Sequence, residues 1–161
     1  MHKILVTADS HGAGHTLCRI AEQESDADAM IFLGDGLRDL EFMQSLYPNL
    51  WVYSVRGNCD YAAYAPAEGL ISFDGVLFFY THGNAYSVEY TLYDLADAAK
   101  TRGADVALFG HTHIALCQEI DGVTLFNPGS PLRPRRGEAS YGVITVEDGT
   151  ASFEHRKVSD L

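Results

Sequence analysis

The sequence predicts one α/β domain, spanning residues 1–161, in which two sheets pack face to face with helices on the outside. Two strand-loop-helix units follow one another at the start of the chain. The second half is dominated by short strands joined by Asp-Gly turns. The early strands read as continuous apolar runs, the pattern of sheets covered on both faces.

Residues 3–8 form the first buried strand, which stops at Asp9-Ser10-His11-Gly12. Over residues 13–23, Leu17, Ile20 and Ala21 recur at helical spacing. The unit repeats: residues 29–33 end at Gly34-Asp35-Gly36, and Leu37, Leu40, Phe42, Met43 and Leu46 mark an amphipathic helix that Pro48 closes. Residues 51–55 make a third strand before Arg56-Gly57-Asn58-Cys59-Asp60, followed by a less regular stretch to Gly69. Strands over residues 70–73 and 76–81 flank an Asp74-Gly75 hairpin turn, and the second ends at His82-Gly83-Asn84. The spacing then predicts a helix over residues 88–102, with Leu92, Leu95, Ala96 and Ala99 on one side and Gly103 beyond its end. Residues 106–109 run into Gly110-His111-Thr112-His113. Strands over residues 114–120, 123–126, 141–147 and 152–156 complete the chain, with turns at Asp121-Gly122 and Asp148-Gly149.

A formal charge of -11 excludes a broad basic surface, so neither an extended nucleic-acid surface nor an anionic membrane is an expected partner. The apolar runs fall well short of a membrane-spanning helix. Met1-His2-Lys3 leads directly into the first strand without the features of a signal peptide, which makes a cytoplasmic location the expectation. Cys18, Cys59 and Cys117 are an odd count without CxxC spacing and are expected to be reduced thiols, with Cys18 and Cys117 acting as small buried hydrophobes. Self-association into a homo-oligomer is left open.

Ligand sites of open α/β sheets gather at the carboxyl ends of strands. Five apolar runs here end in metal-competent residues: Asp9 and His11, Asp35, Asn58, His82, and His111 with His113. Only His2, His15 and His155 lie elsewhere. Carboxylate and amide oxygens mixed with imidazole nitrogens suit Mn, Ni, Fe, Zn or Co better than Ca. The set is too large for one tetrahedral ion, yet it serves two divalent ions if a carboxylate bridges and water completes each sphere. With a bridging hydroxide the net charge of such a centre is about +1, which attracts a phosphodiester monoanion. Hydroxide generated near neutral pH then attacks phosphorus.

Asp9-Ser10-His11, Gly34-Asp35, Gly57-Asn58, His82-Gly83 and Gly110-His111-Thr112-His113 resemble the ordered motifs of the calcineurin-like metallophosphoesterase superfamily. The short chain and Asn127-Pro128-Gly129-Ser130 are most similar to its small YfcE-type phosphodiesterases. The resemblance implies a four-layer α/β/β/α sandwich of two mixed sheets, with a dinuclear centre at the strand ends. Asp9, His11, Asp35 and His113 would hold one ion. Asp35, Asn58, His82 and His111 would hold the other, with Asp35 as the bridge and manganese as the first choice of metal. Asp35, Asn58 and His82 would also position the phosphate of a small phosphodiester substrate. Cys59 stands where many members carry a histidine, so the leaving group's proton would come from Cys59, Asp60, a bound water or the substrate. The rival readings are a scaffold like the retromer subunit Vps29 on the same fold, and a phosphomonoesterase or protein phosphatase.

The site residues also have plainer readings. Asp9 and Asp35 can serve as helix N-caps, and Asn58 as a turn residue. Arg133, Arg135 and Arg136 form the one basic cluster, read as a solvated Pro-rich loop with phosphate binding as the alternative. His15 is read as a surface histidine one turn from His11, with reach into the site as the alternative, and Tyr61, Tyr64, Tyr86 and Tyr90 as core or rim packing beside the site loops, with stacking on a base or aryl leaving group as the alternative.

Overall fold

The computed structural model describes residues 1–61 and 64–161; Ala62 and Ala63, within the less regular stretch, lie outside the described residues. The first sheet contains β1 (His2–Thr7), β2 (Ala29–Phe32), β3 (Trp51–Ser54), β9 (Ser140–Glu147) and β10 (Thr150–Lys157), in the order β10-β9-β1-β2-β3. The second contains β4 (Glu68–Phe73), β5 (Val76–Thr81), β6 (Val106–Leu108), β7 (Leu116–Ile120) and β8 (Val123–Asn127), in the order β4-β5-β6-β8-β7. Both are mixed. β1, β2 and β3 run parallel, as do β5, β6 and β8, while β9, β10, β4 and β7 pair antiparallel.

Alternate side chains of each strand enter different cores, which explains the continuous apolar runs. Ile4, Val6 and Ile31 point between the sheets to meet Phe78, Leu108 and Phe126. Leu5, Met30 and Phe32 point outward onto α1 (Gly14–Gln23) and α2 (Leu37–Leu46) through Leu17, Ile20, Leu40 and Met43. On the far side Phe79, Ala107 and Leu125 meet Leu95, Ala96 and Ala99 of α3 (Tyr93–Thr101). The layers are therefore helices, sheet, sheet, helix, the four-layer sandwich expected.

The Asp-Gly turns hold. Asp74-Gly75, Asp121-Gly122 and Asp148-Gly149 all place both residues at positive φ, the backbone of a two-residue hairpin turn that matches strand twist. Three expectations fail. The helix predicted over residues 88–102 is confined to Tyr93–Thr101, because Ser87 adopts φ 54° and breaks the run after a short 3-10 turn at Asn84–Tyr86. Cys117 is exposed, since β7 is an edge strand. Asp9 and Asp35 cap no helix: the N-caps of α1 and α2 are Ala13 and Gly36, neither with a side-chain cap. Among the described residues no helix is long and apolar enough to cross a membrane.

Candidate metal centre

The carboxyl ends of β1, β2, β3, β5 and β6 meet at one edge of the sandwich. The loops there interlock through their backbones: Asp9 N–H donates to Gly34 O (2.9 Å), His11 N–H to Asp35 O (3.2 Å) and Gly110 N–H to His82 O (2.9 Å). The cost of this convergence is visible in the dihedrals. Asp9, His11, Asp35, His111 and His113 all have φ between 43° and 71°, and apart from the three Asp-Gly turns the only other non-glycine residue with positive φ among those described is Ser87. Left-handed conformations of bulky residues persist only where the surroundings over-determine them, and they cluster at functional sites.

The side chains form two donor groups, Asp9 with His11 and His113, and Asp35 with His82 and His111. Within each, the candidate ligand atoms lie within 4.8 Å of one another. Asp35 Oδ2 is 3.2 Å from His82 Nε2 and 3.8 Å from His11 Nε2, so one oxygen faces both groups. Asp9 Oδ1 lies 3.5 Å from His113 Nε2 and 4.0 Å from His11 Nε2. His11 Nε2 and His113 Nε2 approach to 3.3 Å, and His111 Nδ1 sits 3.0 Å from Asn58 Oδ1 and 3.3 Å from His82 Nε2.

Burial shapes the titration of this cluster. It pushes the Asp35 carboxyl up, but hydrogen bonding and charge from His82 outweigh it and bring the group down to about 2. Burial works against a proton on His82, yet the Asp35 hydrogen bond and the Asp9 and Asp35 charges hold its pKa above the ordinary value. His113 is raised by its Asp9 contact, whereas burial and the neighbouring His82 push His111 down.

These residues fit divalent ions. Asp9 Oδ1 is buried with no hydrogen-bond partner, a costly state for a carboxylate unless a cation satisfies it. Imidazole nitrogens only 3.3 Å apart cannot both carry protons toward each other, but both can face a cation.

A calcineurin-like phosphoesterase superfamily domain model matches residues 2–149. The chain belongs to that superfamily. It is 36% identical over 152 residues to the probable metallophosphoesterase YsnB of Bacillus subtilis, covering 92% of this chain and 87% of the relative. It is 27% identical over 169 residues to the phosphodiesterase YfcE of Escherichia coli K12, covering 89% and 88%. A predicted phosphoesterase from Streptococcus pneumoniae TIGR4 shares the fold with a TM-score of 0.86 at 23% identity, over 98% of this chain and 90% of that one. Vps29 from Chaetomium thermophilum shares it too, at a TM-score of 0.78 and 18% identity over 96% and 94%.

In this calcineurin-like site each carboxylate spends one oxygen on the scaffold and presents the other. Asp9 Oδ2 accepts the His111 N–H (2.9 Å), and Asp35 Oδ1 accepts the Cys59 N–H (2.8 Å). The imidazoles are oriented in the same way. His82 Nδ1 faces Leu33 O at 2.6 Å and His113 Nδ1 faces Arg133 O at 2.9 Å; donating there leaves each Nε2 lone pair toward the carboxylates. Sequence reasoning missed several supports. Asn127 Nδ2 donates to Gly110 O and Thr112 Oγ1, Ser130 Oγ donates to Asp9 O, and Glu89 Oε2 stands 3.4 Å from His111 Nε2. Asn127 and Ser130 close a strand that carries no candidate ligand, and that shared strand-end position was the signal available.

The remaining candidates fall outside the donor groups. Asp60 accepts N–H bonds from Asp35, Gly36, Leu37 and Gly57 at 2.7 to 3.1 Å, which ties the β2 and β3 loops together and occupies both of its oxygens. Cys59 is exposed beside the site, with its thiol pushed up by burial and by Asp35. His15 packs edge-on against Phe42, 5.1 Å between centroids. Tyr86 packs on Phe79 and donates to Glu68, while Tyr90 is exposed. The arginine loop contributes the Arg133 carbonyl and the Arg135 N–H, which donates to His113 O (3.0 Å).

Proposed function

We propose that this chain is a dinuclear metal-dependent phosphodiesterase of small diesters, with manganese as the first-choice metal. The observation that carries the reading is the pair of donor groups that share Asp35 Oδ2 and leave Asp9 Oδ1 buried and unpaired. Asp9, His11, Asp35 and His113 would hold one ion; Asp35, Asn58, His82 and His111 would hold the other. Bound divalent ions supply an activated water nucleophile and Lewis-acid stabilisation of charge on phosphorus.

The residues of the chain do the positioning. Leu33 O and Arg133 O fix the tautomers of His82 and His113. The His111 N–H and Cys59 N–H fix the two carboxylates. Asn58, exposed at the mouth and 3.0 Å from His111, is placed to meet substrate oxygen through its amide. The Cys59 thiol holds its proton more tightly than a free thiol and is a weak general acid, and Asp60 serves the loops, so diesters with good leaving groups are the best substrates. Free Cys18, Cys59 and Cys117 are in keeping with a cytoplasmic location.

The Vps29-like scaffold reading has structural likeness as its support, but at 18% identity that likeness is one of fold. The complete donor set favours the enzyme. The test compares bis-p-nitrophenyl phosphate with p-nitrophenyl phosphate, with Mn2+ or Ni2+ added and after chelation. Metal-dependent turnover with the diester preferred is expected; no metal-dependent turnover of either ester contradicts the reading.

A further inference from the structure

Beside the donor groups a cleft of about 510 Å³ opens from His11 and Asp35 across the start of α2, the size of an ordinary small-ligand pocket. Its walls are chemically uneven. Arg38 and Glu41 line it from the helix, and Tyr61 and Tyr64 from the loop after β3. Tyr61 is 94% exposed and Tyr64 61% exposed. Two aromatic faces left open beside a reaction centre offer stacking surfaces to a planar group. The Tyr64 hydroxyl donates to Glu41 Oε1 at 2.8 Å, so this ring is held in place before any ligand arrives and loses little freedom on binding.

The charges of the cleft narrow the class of ligand. Asp39, Glu41 and Asp60 line it against a single cationic side chain, Arg38. Each carboxylate already accepts hydrogen bonds: Asp39 from Ser10 Oγ and Gly12 N, Glu41 from Tyr64, and Asp60 from four backbone amides. These bonds engage both oxygens of Asp60, Asp39 Oδ2 and Glu41 Oε1. The cleft therefore disfavours an anionic tail such as a second phosphate, and its tyrosines favour a flat, neutral one.

We infer that this cleft is a specificity subsite that receives a neutral aromatic ester group of the phosphodiester, an aryl ring or a base, while the phosphoryl group lies at the donor cluster. The inference rests on the phosphodiesterase reading and names its substrate class. Tyr61 and Tyr64 are its specificity-determining residues.

The experiment measures by calorimetry the binding of diphenyl phosphate and diethyl phosphate to the Mn2+-loaded chain. Both probes are diester monoanions, so the difference between them isolates the ring. Diphenyl phosphate is expected to bind about tenfold more tightly, as one good stacking contact gives. That ratio should fall to near one in the double variant Tyr61→Ala/Tyr64→Ala and persist in Tyr61→Phe/Tyr64→Phe, which keeps the rings and removes only the hydroxyls. Both side chains are exposed, and circular dichroism checks that the variants fold. A ratio near one in the wild type, or one that the alanine variant leaves intact, overturns the subsite. If the ratio behaves as expected but bis-p-nitrophenyl phosphate is not turned over, the subsite stands and the phosphodiesterase reading fails.

Discussion

Asp35, His82 and His111 differ from Asp9, His11 and His113 in how far each set is satisfied by the protein itself. In the first group Asp35 and His82 are buried and paired with each other at 3.2 Å, each with its second polar atom bonded to backbone. In the second, Asp9 is fully buried and its Oδ1 has no hydrogen-bond partner, while His11, which lines the cleft, is only partly buried, as is His111 of the first group. A buried, unpartnered carboxylate oxygen gains most from a cation, whereas the Asp35 and His82 pair must be opened to admit one. The Asp9 group should accordingly bind the first and tighter ion. The Asp35 group should bind the second.

The largest effect is expected where both groups depend on one contact. A Cβ on Gly57 would overlap the Asp35 carboxylate and stand 2.6 Å from Asp35 N, so Gly57→Ala should displace the shared oxygen and weaken both ions about 100-fold. A Cβ on Gly110 would meet Asp9 Oδ2 at 2.9 Å and Ala8 Cβ at 2.8 Å, so Gly110→Ala should weaken the tighter ion selectively. Calorimetric titration with Mn2+ separates the two results, and equal losses in Gly110→Ala would remove the distinction between the groups.

The pH dependence sharpens the same contrast. His82 and His113 are raised above 6.5 in the metal-free chain, so their pairing contributes stability that is full below that value and is lost as pH rises through their folded values. Asp35, lowered to about 2, contributes in the opposite sense: its stabilisation is present above the unfolded carboxylate value and is lost as pH falls through about 2. Metal binding must expel the histidine protons, so both affinities should strengthen from pH 6 to pH 8. Titrations in that range check this, and affinities independent of pH would count against the assignment of His82 and His113. The smallest effect is expected at Glu89, whose carboxylate lies 3.4 Å from His111 Nε2. Glu89→Ala should weaken the second ion about tenfold and leave the first unchanged, read in the same titration.

Much of this was legible in the sequence because it is local. Apolar runs closed by Gly, Asp, Asn and His name the strands and candidate ligands together, and each Asp-Gly pair predicts its own turn. The overextended helix has a physical origin. Val88 suits a helix pattern, but Ser87 turns left-handed, Val88 packs over Gly83, and Glu89 is delivered to His111 instead. What the sequence could not display is the long-range support of the site. Ser130 reaches the Asp9 carbonyl across 121 residues, and the His111 N–H reaches the Asp9 carboxylate across 102. No periodicity encodes such pairs. The left-handed backbone at Asp9, His11, Asp35, His111 and His113 was equally hidden, because it follows from loops meeting in space and not from residue preference.

Metal stoichiometry tests the central claim most directly. Mn2+ titration of the metal-free chain should show two ions of unequal affinity, His113→Ala should lose the tighter, and His82→Ala the weaker. A single ion in the wild type, or two ions retained in His113→Ala, would contradict the account.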